Sequence, residues 1–151
     1  AAIIALLEMM HRENLKPKYT VKIIISTYEE VGHGSASIPQ DITEMIAVDM
    51  GCIGEDLSCN EYQVSICAKD SSGPYDFNMT TELVNLAKNN EIDYEVDIYP
   101  MYGSDVSAAL RAGNDIRGAL IGPGVHASHG MERTHVNALE NTIKLLALYL
   151  I

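Results

Sequence analysis

The chain of 151 residues is long enough for one domain with a buried core, and 47% of it is hydrophobic in distinct blocks, which excludes intrinsic disorder. Its net charge of −11, from 21 acidic against 10 basic residues spread without a basic stripe, speaks against nucleic acid and anionic membranes as partners. No apolar run reaches the roughly 18–20 residues of a membrane-spanning helix, and none has the form of a signal peptide, so the expected location is cytoplasmic.

The first residues read Ala-Ala-Ile-Ile-Ala-Leu-Leu-Glu-Met-Met, with Ile3, Ile4, Leu7 and Met10 at the spacing of a helix that lies on a core. Neither a start methionine nor a capping residue precedes them, so a piece of a longer chain is expected. Pro17 closes this helix. Residues 19–27 are almost continuously apolar around Val21 and Ile23 to Ile25, which predicts a strand covered on both faces. Glu29-Glu30-Val31-Gly32 follows at once, and a Gly/Ser-rich loop runs on to Pro39.

Residues 45–50 predict a second apolar strand, interrupted by Asp49 and closed by Gly51. Residues 62–69 alternate and predict a half-exposed strand; residues 70–74, Asp-Ser-Ser-Gly-Pro, predict a turn. A helix over 76–90 and a strand over 94–99 come next. Gly103-Ser104-Asp105 opens a short helix, 106–111, that stops at Gly113. A strand over 116–121 ends in Gly122-Pro123-Gly124, and a last helix runs from about His135 to Leu150. Helices alternating with apolar strands predict a layered α/β sheet, with no repeat and no dividing linker. The cysteines, Cys52, Cys59 and Cys67, are odd in number and lack metal-finger spacing, as free thiols in a reducing compartment would be.

In open α/β sheets ligands bind beyond the carboxyl ends of the strands, so what each strand delivers there matters. The predicted strands deliver Glu29-Glu30, then Asp49, then Gly103-Ser104-Asp105, and finally His126-Ala-Ser-His129-Gly-Met-Glu132. Carboxylates and imidazoles on one edge are the donors of a zinc- or cobalt-type site. Two adjacent carboxylates repel and are costly near a core unless a cation compensates. One of the pair would ligate a metal while the other takes a proton from its water. A solvated acidic loop is the plainer alternative. Asp49 suits a turn before Gly51 as well as a ligand, and Ser104 and Asp105 suit a helix cap as well as a substrate contact. Beside His129, the residues His126, Glu132 and His135 leave open which side chain binds, and His33 reads as loop surface.

Taken in order, Tyr-Glu-Glu-Val-Gly at 28–32, Ala-Val-Asp-Met-Gly at 47–51, Ser-Ser-Gly-Pro at 71–74, Tyr-Gly-Ser-Asp at 102–105 and Ser-His-Gly-Met-Glu at 128–132 resemble the M42 metallo-aminopeptidases. The likeness is greatest to the deblocking and glutamyl-aminopeptidase-like members. It covers essentially the whole chain, and its specificity lies in the order and spacing of motifs that are weak alone.

The resemblance implies a layered α/β/α sheet of the zinc-peptidase (phosphorylase/hydrolase-like) type, N-terminally truncated. It implies release of N-terminal residues from peptides by water activated at two divalent metal ions, zinc or cobalt. Glu29 would be the general base, Glu30 and His129 the ligands of one metal, and Asp49 a ligand of the second. Ser104 and Asp105 fall in the family's Gly-Gly-Thr-Asp loop beside the active site and would contact substrate; here that loop reads Tyr-Gly-Ser-Asp. The histidine motif departs from His-Ser-x-x-Glu at Gly130 and keeps Glu132.

The resemblance further implies a bridging aspartate just ahead of Ala1, a histidine farther upstream and a β-barrel domain inserted in the upstream half. Residues 1–151 would then be the C-terminal portion of the catalytic domain, a homo-oligomer when full length, with no nucleic-acid or membrane partner. The isolated fragment is expected to hold metal poorly and to be inactive. The alternatives are a related metal-dependent deacylase or carboxypeptidase, and a metal-free α/β assembly module.

Overall fold

A computed structural model describes residues 1–151. The elements follow in the order α1 (Ala2–Arg12), β1 (Glu44–Val48), β2 (Gly51–Cys52), β3 (Val64–Asp70), β4 (Gly73–Pro74), α2 (Phe77–Asn89), β5 (Tyr94–Ile98), α3 (Asp105–Arg111), β6 (Arg117–Val125) and α4 (Val136–Leu150). The strands form one mixed six-stranded sheet. β6 runs parallel to β1 and antiparallel to β3, and β3 pairs in turn with β5 in parallel and β4 in antiparallel sense. β2 continues beyond β1 and pairs with the far end of β6.

Side chains alternate across this sheet, so each strand feeds two cores. Val64, Ile66, Ala119 and Ile121 lie on one face with Leu6, Leu83, Leu145 and Leu146 of α1, α2 and α4. Ala47, Cys67 and Leu120 lie on the other with Val106 of α3, Tyr75 and Tyr99. Two helical layers enclosing a sheet make the layered α/β fold expected from the alternating pattern, in the α/β/α form that the resemblance implies. Helix starts follow their caps: Asp76 accepts from Met79 N–H at 2.9 Å, and Ser104 accepts from Ser107 N–H in a reciprocal capping box. No helix is long and apolar enough to cross a membrane.

Three expectations are corrected. Residues 19–27 form no strand: none of their backbone groups bonds to another backbone group, and Tyr19, Val21, Ile23, Ile24 and Ile25 are all exposed. Apolar continuity is a local property, whereas a strand needs a hydrogen-bonded neighbour, and β1 has only β6 as partner. The segment is tethered instead by side chains, Lys22 to Asp41 and Ser26 to Asp105. Second, β3 is central and buried rather than half-exposed, because Ser65, which reads as a solvent position, is satisfied internally by the Tyr99 hydroxyl. Third, β6 runs through Gly122-Pro123-Gly124 to Val125, since the Pro123 and Gly122 positions still pair with Val64 and Ser65 of β3.

Candidate metal and active site

The loop after residues 19–27 turns tightly. Gly32 N–H donates to Glu29 O at 2.8 Å, His33 N–H to Tyr28 O at 3.2 Å, and the His33 ring stacks on Tyr28 at 4.9 Å. Glu29 and Glu30 are therefore carried on a turn rather than at the end of a paired strand. Glu30 reaches across to His129, with Oε2 3.6 Å from Nδ1, and both side chains are 74% exposed. His129 is held with φ +62°, a left-handed conformation unusual for a residue with a Cβ, and its N–H donates to Glu132 at 3.3 Å.

Asp49 leaves the end of β1. Its N–H donates to Ile121 O at 3.1 Å, and its Oδ1 accepts from Met50 N–H at 2.6 Å. The backbone of β6 approaches closely enough here that a Cβ at Gly122 would land on the Asp49 carbonyl oxygen. The Tyr102 hydroxyl donates to Met50 O at 3.1 Å and lies beside the Asp49 carboxylate.

The site is electrostatically one unit. Partial burial, then the charges of Asp49, Glu30 and Asp105, raise the Glu29 pKa above the ordinary carboxylate range, and His129 partly offsets this. Burial raises Asp49 as well, against the Met50 N–H and Tyr102, and Glu30 and Asp105 add to the rise. Burial and the nearby Asp49 push the Tyr102 hydroxyl strongly upward, so it stays a protonated donor. An excess of negative charge with one imidazole as its counterweight favours a cation.

The donors suit a zinc- or cobalt-class ion in kind, an imidazole with carboxylates. They fall short in number. Glu30 and His129 supply two donors where a catalytic zinc takes three from protein, and no three His, Cys, Asp or Glu side chains gather as a metal cluster.

The other candidates turn elsewhere. His126 faces Glu61 at 3.4 Å and pairs through its backbone with Arg133. His135 caps α4 by accepting from Asn137 N–H at 3.2 Å, and its ring packs at a tilt against Tyr62, centroids 4.7 Å apart. Ser104 is buried, its hydroxyl 2.8 Å from that of Tyr75. Asp105 borders the site, accepting from Ser26 Oγ at 2.5 Å. Sequence reasoning missed Tyr102, Ser26 and Gly34, whose signals are tertiary; only the Tyr-Gly-Ser-Asp motif touched one of them. The three cysteines are free, and burial pushes Cys59 and Cys67 up to about 12, which keeps them as inert thiols.

The family model described as M42 glutamyl aminopeptidase matches residues 1–145. This chain belongs to the M42 family. It is 48% identical over 153 residues to a Bacillus subtilis (strain 168) protein named "Putative aminopeptidase YhfE", a match that covers 99% of this chain and 44% of that protein. The TET aminopeptidase of Thaumarchaeota archaeon SCGC AB-539-E09 superposes with TM-score 0.84 at 17% identity, over 99% of this chain and 44% of the archaeal one. PhTET1-12s, described as a dodecamer, superposes with TM-score 0.77 at 21% identity, over 98% of this chain and 46% of its own. These likenesses establish the M42 sheet as the fold. The chain thus spans less than half the length of the relatives it matches.

Proposed function

We propose that residues 1–151 are the C-terminal, site-bearing portion of the catalytic domain of a cytoplasmic M42 aminopeptidase, which releases N-terminal residues from peptides. The observation that carries this reading is the 3.6 Å approach of Glu30 to His129, which joins two motifs 99 positions apart beside Glu29 and Asp49. Glu30 and His129 would hold one divalent cation, zinc or cobalt, and Asp49 a second, with further donors from outside these residues. Such a cation pair, when bound, acidifies a water and polarises the scissile carbonyl.

Glu29 is suited to the proton work. Its carboxyl is partly withdrawn from solvent, its pKa is raised toward the pH at which a general base operates, and no side-chain hydrogen bond occupies it. It would take the proton from the attacking water and pass it to the leaving amine. Tyr102 and the Met50 N–H hold Asp49 in place. Asp105 borders the site on the α3 side, where substrate would lie, and Ser104 is buried behind it. Alone, the 151 residues would bind metal weakly and turn over little, since the donor count is short. The TET1 peptidase of Pyrococcus horikoshii assembles into a tetrahedron or an octahedral shell, and a homo-oligomer is proposed here by analogy.

The test is hydrolysis of amino-acyl anilides by the native-length protein with zinc or cobalt, alongside two variants. Glu29→Gln should keep its metal content and lose about 10²–10⁴ in kcat. Glu30→Gln should lose metal occupancy itself. Equal metal loss in both variants would refute this division of roles, and release of C-terminal residues or acyl groups would replace the aminopeptidase with another hydrolase.

A further inference from the structure

Asp105 is placed oddly for a substrate contact. Its Oδ2 accepts from Ser26 Oγ at 2.5 Å, at the start of the loop that carries Glu29 and Glu30. Its Oδ1 is buried without a hydrogen-bond partner, and it lies against the other end of that loop. A Cβ built on Gly34 would stand 2.7 Å from this oxygen and 2.8 Å from Glu29 N, so carboxylate, Gly34 and Glu29 backbone are packed at the closest approach a glycine allows. One carboxylate thus touches both ends of a nine-residue loop.

Asp105 is itself held rigidly. Buried Asp70, at the end of β3, accepts from Ser107 Oγ at 2.5 Å, Tyr75 OH at 2.7 Å and Ser72 N–H at 2.7 Å. With its proton committed to Asp70, the Tyr75 oxygen accepts from Ser104 Oγ at 2.8 Å, and Ser104 in turn caps α3 through Ser107 N–H. Every hydroxyl in this relay has both a donor and an acceptor role, a fully satisfied buried network that fixes the first turn of α3. Asp105 is the residue that follows.

We propose that Asp105 is a positioning residue: braced by the Asp70–Tyr75–Ser104–Ser107 network, it clamps residues 26–34 and so sets where Glu29 and Glu30 stand. The proposal rests on the reading of those two glutamates as the functional carboxylates. It assigns Asp105 an action through the loop, and Gly34 a place as the contact that only glycine fits.

Hydrogen exchange of the full chain, read by mass spectrometry on the amides of residues 27–34, tests the clamp without reference to turnover. Asp105→Ala should speed exchange there about tenfold or more, the expected loss from one charge-assisted hydrogen bond, while the melting temperature and the exchange of β3 and β6 stay near wild type. Asp105→Asn should loosen the loop less than Asp105→Ala, because its NH₂ can still donate to Ser26 Oγ. Ser26→Ala should loosen the loop in part, and Gly34→Ala should loosen it with Asp105 intact; these two also decide the matter if Asp105→Ala fails to fold. Wild-type protection in Asp105→Ala would overturn the proposal. So would a loss of protection in Asp105→Ala that spread equally to β3 and β6, since the fold as a whole rather than the loop would then have loosened. In the native-length protein the clamp predicts lower kcat with KM little changed, and failure of aminopeptidase activity would leave the exchange result standing.

Discussion

Gly122→Ala probes the contact that seats Asp49. The added Cβ would coincide with the Asp49 carbonyl oxygen, so β1 and β6 must separate locally by about 2 Å to restore van der Waals distance. Both are paired strands of one sheet, in register from Glu44 opposite Arg117 to Val48 opposite Ile121, so the strain has no flexible side chain to absorb it. Overpacking of this kind costs about 1–3 kcal/mol, and loss of the 3.1 Å bond from Asp49 N–H to Ile121 O adds about 1 kcal/mol. For a chain of this size that total corresponds to a melting temperature lower by roughly 5–15 °C in a differential scan. Gly103→Ala is the control: nothing lies within 4 Å of its would-be Cβ, and the change should stay within about 0.5 kcal/mol. A melting temperature for Gly122→Ala within a degree or so of the control would refute the close approach of β6 to Asp49, and with it the account of how that carboxylate is seated.

Leu83→Ala removes a fully buried side chain from the face covered by α1, α2 and α4, and should cost about 2–5 kcal/mol in urea titration. Glu29 and Asp49 have raised pKa values in the fold, so the metal-free folded chain holds more protons than the unfolded one just above their ordinary values of 4.5 and 3.8. Their contribution is greatest below that window and lost as pH rises through the raised values; an Asp49→Asn variant should therefore gain on wild type as the pH of thermal scans is raised, and parallel curves would count against the shift. Ile25 is 76% exposed on a segment without backbone bonds, so Ile25→Lys should leave the melting temperature in place and lower self-association in sedimentation velocity.

Much of the fold is written locally. Helices such as Phe77–Asn89 announce themselves by periodicity and by the Asp76 cap, β1 by a short apolar run and β5 by the alternation of Tyr94, Val96 and Ile98 with Glu95 and Asp97. Residues 19–27 carry the same signal as β1, and nothing within them tells that no neighbour pairs with them. In β3 the misreading came from Ser65: polarity marks solvent only when no partner is buried alongside, and Ser65 has Tyr99.

The site was legible as residue types at predicted strand ends, Glu29, Glu30, Asp49 and His129. Their gathering at one edge was expected from the strand ends and the resemblance, but the route to it was not legible, because it depends on how a tight turn and the left-handed His129 aim two exposed side chains at each other. The Asp70–Tyr75 network lay hidden inside what reads as an ordinary Ser-Ser-Gly-Pro turn, since its donors Ser104 and Ser107 come from the start of α3, 29 positions beyond Tyr75 and 37 beyond Asp70.

The place of β6 in the sheet has a consequence for how the chain comes to its native state. β3, α2 and β5 make a self-contained unit in which Val64 meets Tyr94, thirty residues on, and this unit can form as soon as it is synthesised. β1 and β3 never touch as a pair; each bonds to β6, whose Arg117 lies 73 residues beyond its partner Glu44. β1 must therefore wait, unpaired, until residues 117–125 have emerged and β6 can pair with β3 on one side and with β1 on the other. Folding should accordingly show a fast phase seated in β3–α2–β5 and a slower one, governed by loop closure over long separations, in which β1 and Asp49 reach their places last.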